Sequence, residues 1–173
     1  MKLIVGLGNI GATYHNTYHN IGFDFLDFTT AKAVFKTKKQ FLGEIYQQGD
    51  SMYLKPHTYM NDSGKAVLAV KQYYHIEDRD IVIIHDDSDI ALGQYKIQVN
   101  RGSGGHHGID SIFNHISQEV KRIRIGIRAE RFIGKKSQDF VLRPIYSEDQ
   151  IVLDTVYQQV QQELNILEIV DLS

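Results

Sequence analysis

Residues 2–22 read Lys2-Leu3-Ile4-Val5-Gly6-Leu7-Gly8-Asn9-Ile10-Gly11-Ala12-Thr13-Tyr14-His15-Asn16-Thr17-Tyr18-His19-Asn20-Ile21-Gly22. The apolar run over 2–7, with its β-branched residues, predicts a buried first strand. Behind it stands a literal G-x-G-x-x-G over 6–11. In a dinucleotide-binding fold those glycines open a helix whose N-terminus faces a pyrophosphate, and an acid ending a second strand holds the ribose. Here residues 12–20 carry no helical apolar stripe, and Asp24 and Asp27 fall inside the next predicted helix. The glycines therefore predict a polar loop after a strand and not a Rossmann turn.

Outward from that loop, Ile21, Phe25, Phe28, Lys32 and Phe35 recur at helical spacing and predict an amphipathic helix over 20–35, with the Lys32 stem filling the stripe. Residues 41–48 and 51–55 predict two strands around a Gln48-Gly49-Asp50 turn. Asp62 or Ser63 offers an N-cap to a helix bearing Val67, Val70 and Tyr74 on one face. Residues 80–84 form a continuous apolar run expected of a central strand. Tyr95, Ile97 and Val99 alternate with polar residues, as do residues 122–127. A glycine-rich loop at 102–108 precedes a short helix. Ser147-x-x-Gln150 is a capping-box pattern, opening a helix whose face is Leu153, Val156, Val160, Leu164 and Leu167. Strands interleaved with helices predict an α/β fold: a single domain over 1–173, a twisted mixed β-sheet surrounded by α-helices.

The 173 residues need no staple to bury a core, and the absence of cysteine excludes disulfides and thiolate chemistry. The first apolar run is too short for a secretory h-region, and no stretch is long enough to span a membrane, so the expected compartment is the cytoplasm. A net charge of −2 argues against indiscriminate coating of nucleic acid. The cations cluster, however: Lys36, Lys38 and Lys39 in one group, and Arg122, Arg124, Arg128, Arg131, Lys135 and Lys136 in another. Each cluster reads as a solvated face or as a local binding patch.

Several motifs fail on a single residue. A nucleophile elbow at Ser103 needs glycine at 101 and finds Arg101; Gly64-Lys65 lacks the remainder of a phosphate loop. His15 and His19 have metal-ligand spacing without the glutamate of H-E-x-x-H. Asp86, Asp87 and Asp89 could hold a divalent cation, or could simply be a solvated turn. What remains is three polar loops after strands: Asn9, Tyr14 and His19; Met60 and Asn61; His85-Asp86-Asp87 with Gly104-Gly105-His106-His107-Gly108. Ester hydrolysis needs a base for water, a carboxylate to hold that base, and neutral donors for an oxyanion. A histidine, an aspartate and an asparagine can supply these, although the same trio also serves structural duties.

The segments Lys2-Leu3-Ile4-Val5-Gly6-Leu7-Gly8-Asn9-x-Gly11 with Tyr14 and His19-Asn20-x-Gly22, and Lys55-Pro56-x-Thr58-x-Met60-Asn61-x-Ser63-Gly64, resemble the bacterial-type peptidyl-tRNA hydrolase family. So do His85-Asp86-x-x-Asp89, Gly104-Gly105-His106-x-Gly108, Arg122-Ile123-Arg124-Ile125-Gly126-Ile127 and Phe140-Val141-Leu142, in the family's order and over most of the chain. The resemblance implies a monomeric, metal-free and cofactor-free esterase of peptidyl-tRNA, with no obligate protein partner and no membrane contact. By the same resemblance His19 is the base, Asp86 its holder, and Asn9 the residue that positions water or ester. Asn61 and the residue at 107 would bind the peptide. Tyr14, Tyr59 and Met60 would line the cleft around the terminal adenosine. Arg124 and a lysine on the strand near 96–98 would clamp the 5′ phosphate. Several positions depart from the pattern, among them Asn100 and Arg101, which replace glycines. Ile10 replaces a proline and His107 an asparagine, and Gln98 stands where the clamp lysine aligns. Lys96, on the same strand face, and Arg101 are the substitutes for that charge.

Overall fold

The computed structural model describes residues 1–166, so Leu167 of the last predicted helix face lies outside the described residues. The apolar run at the N-terminus is strand β1 (Lys2–Gly6), buried on both sides because it pairs in parallel with β4 (Ser51–Pro56) and with β5 (Ile81–Ala91). Strand β7 (Lys121–Arg128) pairs in parallel with the far side of β5. Antiparallel strands close both edges: β2 (Lys36–Lys38) and β3 (Gly43–Gln48) beyond β4, and β6 (Tyr95–Gln98) beyond β7. The seven strands run in the order β2-β3-β4-β1-β5-β7-β6. The mixed, helix-covered sheet expected from the sequence is thus the fold. Its parallel centre explains why β1 and the start of β5 read as unbroken apolar runs.

Two cores sandwich the sheet. Helices α1 (Ile21–Thr29) and α4 (Ser147–Ile166) pack Phe25, Leu26, Leu153, Val156 and Val160 on Ile4, Val82, Ile84, Ile123 and Ile125. Helices α2 (Ser63–Tyr74) and α3 (His107–Phe113) pack Val67, Val70, Ile109 and Ile112 on Leu3, Val5, Ile81 and Ile83. The hairpin turns at Gly49, whose φ is 56°. Gly6 and Gly22 meet face to face: a Cβ on either would overlap the backbone of the other segment. The first glycine of the G-x-G pattern therefore lets α1 lie directly on β1, and α1 begins only at Ile21, after two 3-10 turns.

Several expectations need correction. The helix predicted over 20–35 stops at Thr29. Thr30 donates its hydroxyl to the Leu26 carbonyl, and Ala31 and Lys32 turn into left-handed geometry, where Lys32 N–H caps Asp27 O at 2.7 Å. Lys32 is exposed, while Phe35 still packs, on Tyr46 beside β2. Residues 85–87 are not a loop: β5 continues through them because β7 supplies a ladder as far as Asp87, with an irregularity before Ala91. Gln150 reaches forward to Asp154 instead of back to a cap. Val99 lies beyond β6 and is exposed. Four members of the second cation cluster are not on a solvated face, for Arg122 and Arg124 are buried and Arg128 and Arg131 are tied to carbonyls and carboxylates, while Lys135 and Lys136 are exposed.

Candidate active site

The carboxyl ends of β1, β4 and β5 open into one cleft of about 480 Å³, which is where parallel α/β sheets place their ligands. Strand β1 delivers Asn9 and, through the 3-10 turns, Tyr14 and His19. Strand β4 delivers Tyr59, Met60 and Asn61, and β5 delivers Asp86 and Asp87. His107, at the start of α3, completes the wall. Asn9, Tyr14, His19, Tyr59, Met60, Asn61, Asp86 and His107 are therefore brought together, whereas Lys96, Arg101 and Arg124 do not line the cleft.

Three consecutive residues on one 3-10 turn, Tyr18–Asn20, do separate jobs. Tyr18 is buried, edge-on to Phe132 and Phe140, with its hydroxyl on Asp149. His19 points to the cleft, and its backbone N–H is fixed to Val141 O at 2.7 Å. Asn20 is buried and grips Asn9 twice: its Oδ1 accepts from Asn9 N–H at 2.8 Å, and its Nδ2 donates to Asn9 O at 2.9 Å. Asn9 in turn accepts Met60 N–H on its Oδ1 at 2.8 Å. That bond assigns the amide orientation and leaves the Nδ2 donors of Asn9 for the cleft. The Met60 N–H is aimed by Tyr59, whose φ of 54° and ψ of 167° fall in a region otherwise almost reserved for glycine. Such geometry costs on the order of 1–3 kcal/mol and persists where the surroundings impose it.

Asp86 is the electrostatic centre. Its Oδ1 accepts from His19 Nδ1 at 2.9 Å and from His106 Nε2 at 3.1 Å, and the residue is almost wholly buried. Burial alone would raise its pKa; the charges and hydrogen bonds of His19 and His106 outweigh this and hold it well below the usual carboxylate range. Burial likewise works against a charged His19, yet the Asp86 carboxylate, through charge and hydrogen bond, lifts it above the usual imidazole value. His85 is fully buried and donates Nδ1–H to Asp86 O at 2.7 Å. Burial, and then the neighbouring His106, push its pKa well below the ordinary one. The arrangement can hold one imidazole with Nε2 open to the cleft, above a fixed carboxylate and beside a fixed amide donor. That is the equipment for deprotonating a water and stabilising an oxyanion.

The cationic candidates lie on the flank. Arg124 Nη2 pairs with Asp87 at 2.7 Å and Nη1 donates to Gln98, so its guanidinium is engaged. Arg122 fastens the glycine-rich loop by donating to the carbonyls of Arg101 and Gly102 at 2.8 and 3.0 Å. Lys96, cross-strand from Arg124, and Arg101 are exposed and have no carboxylate partner among the described residues. Sequence reasoning missed Asn20 and His106 as site residues, although both stand inside quoted motifs. It also missed the 141–145 segment that straps the His19 turn through Val141 O, Arg143 O and Ile145 N–H. Two adjacent histidines in Gly104-Gly105-His106-His107-Gly108 were the available signal for His106.

The family profile described as "Peptidyl-tRNA hydrolase" matches residues 3–171. A peptidyl-tRNA hydrolase of Sulfurovum sp. (strain NBC37-1) is 38% identical over 179 aligned residues, covering 100% of this chain and 92% of that one. One of Campylobacter jejuni (serotype O:2) is 40% identical over 177 aligned residues, covering 100% and 94%. The crystal structure of a peptidyl-tRNA hydrolase from Acinetobacter baumannii superposes with a TM-score of 0.87 at 33% identity, over 96% of this chain and 88% of that one.

Proposed function

The chain belongs to the peptidyl-tRNA hydrolase family, and on that premise we propose that it cleaves the ester between a peptide, or an N-blocked amino acid, and tRNA. His19 is the general base. With its Nδ1–H held by Asp86, its Nε2 lone pair takes a proton from water, and the hydroxide attacks the ester carbonyl carbon. The oxyanion that forms accepts from the Asn9 Nδ2 donors. Collapse breaks the bond to the tRNA's terminal ribose oxygen, which takes the proton back from His19. Asp86 stabilises the intervening imidazolium without itself being protonated. No metal and no cofactor takes part in this scheme.

Tyr14 and Tyr59, with ring centroids 6.3 Å apart and nearly perpendicular, form with Met60 the surface for the terminal adenosine. Asn61 and His107 face the peptide. Lys96 and Arg101 carry the 5′ phosphate contact, and Arg124 joins them by exchanging Asp87 for the phosphate. No helix of the described residues is long and apolar enough to cross a membrane. The enzyme works as a cytoplasmic monomer.

The observation that carries the reading is the convergence of Asn9 and His19, from the segment after β1, with Asp86, on β5, in one cleft. Release of free tRNA from N-blocked aminoacyl-tRNA, in the presence of EDTA, tests it. Wild type is expected to turn over and His19→Ala to lose activity by several orders of magnitude. Tight tRNA binding without cleavage by wild type would replace the enzyme with an RNA-binding protein.

A further inference from the structure

We propose that His19, Asp86 and His106 form a three-ligand site for a first-row divalent cation of zinc's class, and that filling it switches the hydrolase off. The three candidate donor atoms are His19 Nδ1, Asp86 Oδ1 and His106 Nε2, all within 4.8 Å of one another. The carboxylate oxygen already lies 2.9 Å and 3.1 Å from the two nitrogens. A tetrahedral zinc with bonds of about 2.0–2.1 Å separates its ligand atoms by roughly 3.3 Å. Opening the two nitrogen–oxygen pairs by a few tenths of an ångström and drawing the two nitrogens together from within 4.8 Å admits the ion, and the imidazole rings, with centroids 5.1 Å apart and tilted by 49°, already face the same carboxylate oxygen. Two imidazole nitrogens and one carboxylate oxygen suit zinc, cobalt or nickel and disfavour magnesium and calcium. The cleft supplies the open fourth position.

The protons decide the consequence. In the metal-free arrangement both imidazoles donate into Asp86, so each must move its proton to the other ring nitrogen before it can ligate. His106 Nδ1 accepts only a long bond, 3.4 Å, from Ile109 N–H, and giving that up is cheap. His19 Nε2 has no partner among the described residues and is not an enclosed atom, so it takes the displaced proton readily. That nitrogen then carries a hydrogen and no lone pair. The base is abolished without anything blocking the substrate. The inhibitory half of the inference rests on His19 being the base; the binding half does not.

Cobalt titration of the full chain reads the binding half, through the intense visible band of four-coordinate Co2+. One equivalent is expected to give the band and Zn2+ to displace it. His19→Ala and His106→Ala should each weaken binding by at least about 100-fold, because even outer partners of a metal ligand are worth about 10–100-fold. His107→Ala should keep the band. Absence of the band at saturating cobalt, or its survival in both variants, overturns the site. A check that needs no variant uses the ring resonances of wild type, where His19 and His106 must move together with the first equivalent of Zn2+; movement of a different pair overturns it equally. In the cleavage assay Zn2+ should lower turnover by at least about tenfold, with recovery on adding EDTA. Unchanged or increased turnover with the band present refutes the switch and leaves the hydrolase intact. A chain that shows the band yet cleaves nothing refutes the hydrolase and leaves the site.

Discussion

Asp86→Asn separates the two services a carboxylate gives a catalytic imidazole. In a serine-protease triad the equivalent exchange costs about 10⁴ in turnover, because the amide imposes the wrong tautomer. The contacts here argue for a smaller loss. One oxygen, Oδ1, accepts from both His19 and His106, and an asparagine oxygen in its place would accept the same two protons. The tautomer survives and only the charge is lost. A hydrogen bond to a charged group is worth about 1.5–3 kcal/mol against about 0.5–1.5 for a neutral one, so His19 loses on the order of 1–2 kcal/mol of imidazolium stabilisation. Turnover should fall roughly 5- to 30-fold, since about 1.4 kcal/mol is one factor of ten. The carboxylate also raises the pKa of His19, so its removal should move the acid limb of kcat/KM to lower pH. Stability follows with a definite sign. A raised imidazole stabilises the fold fully below its unfolded value of about 6.5 and loses that contribution as pH rises through the folded value. Steady-state cleavage of N-blocked aminoacyl-tRNA from pH 5 to 9 is the assay. A loss near 10⁴, or an unmoved acid limb, would refute the shared-oxygen reasoning.

Other outcomes follow from other contacts. Asn20→Ala removes both grips on Asn9 and leaves a buried N–H and C=O unpaired, costing about 2–4 kcal/mol; thermal melting should show this, with turnover down roughly 100-fold and KM moving less. A variant that loses stability but keeps its turnover would make Asn20 purely structural. Asp24 is pushed up to about 7 by burial and then by Asp27, so its ionisation works against folding as pH rises from about 4 to 7. Asp24→Asn should therefore gain stability over wild type at pH 8 and not at pH 4. The displacement from 3.8 sets a ceiling of roughly 4 kcal/mol, and a difference in melting midpoint that ignores pH would contradict it. Lys96→Ala and Arg101→Ala should each weaken tRNA binding and lower its salt slope by about one. Unchanged slopes in both would remove the clamp.

The sheet was legible in the sequence wherever burial alone shapes the pattern. Strand β1 and the start of β5 are flanked on both sides, so their apolar runs announce them. Legibility failed where distant partners decide. Asp86-Asp87-Ser88-Asp89 has the composition of a turn, yet β5 continues through it because β7 pairs with Asp86 and Asp87 and again, after an irregularity, with Ala91. Arg122-Ile123-Arg124-Ile125 alternates like a half-solvated strand, yet its polar face is covered: Phe113 and the glycine-rich loop receive Arg122, and Asp87 and Gln98 receive Arg124. The end of α1 failed for a local reason. Apolar spacing continued past Thr29, while the competing threonine hydroxyl and two left-handed residues ended the helix.

The site shows a sharper limit. A 3-10 turn has about three residues per turn, so Tyr18, His19 and Asn20 project about 120° apart and meet three different surroundings. Tyr18 enters the α4 core, His19 meets Asp86, and Asn20 turns back to Asn9. Neither helical nor strand periodicity would group or separate these residues in that way. Only the histidine advertises chemistry; its two neighbours fix where that chemistry happens. A base must stand within hydrogen-bond reach of its water, and a misplacement of about 1 Å can cost 100-fold. Asp149, the 141–145 strap and Asn9 hold the turn from three directions, the first two from one stretch of chain that lies far in sequence from the turn and from Asn9. Moving any one of them should therefore alter turnover without touching the base itself.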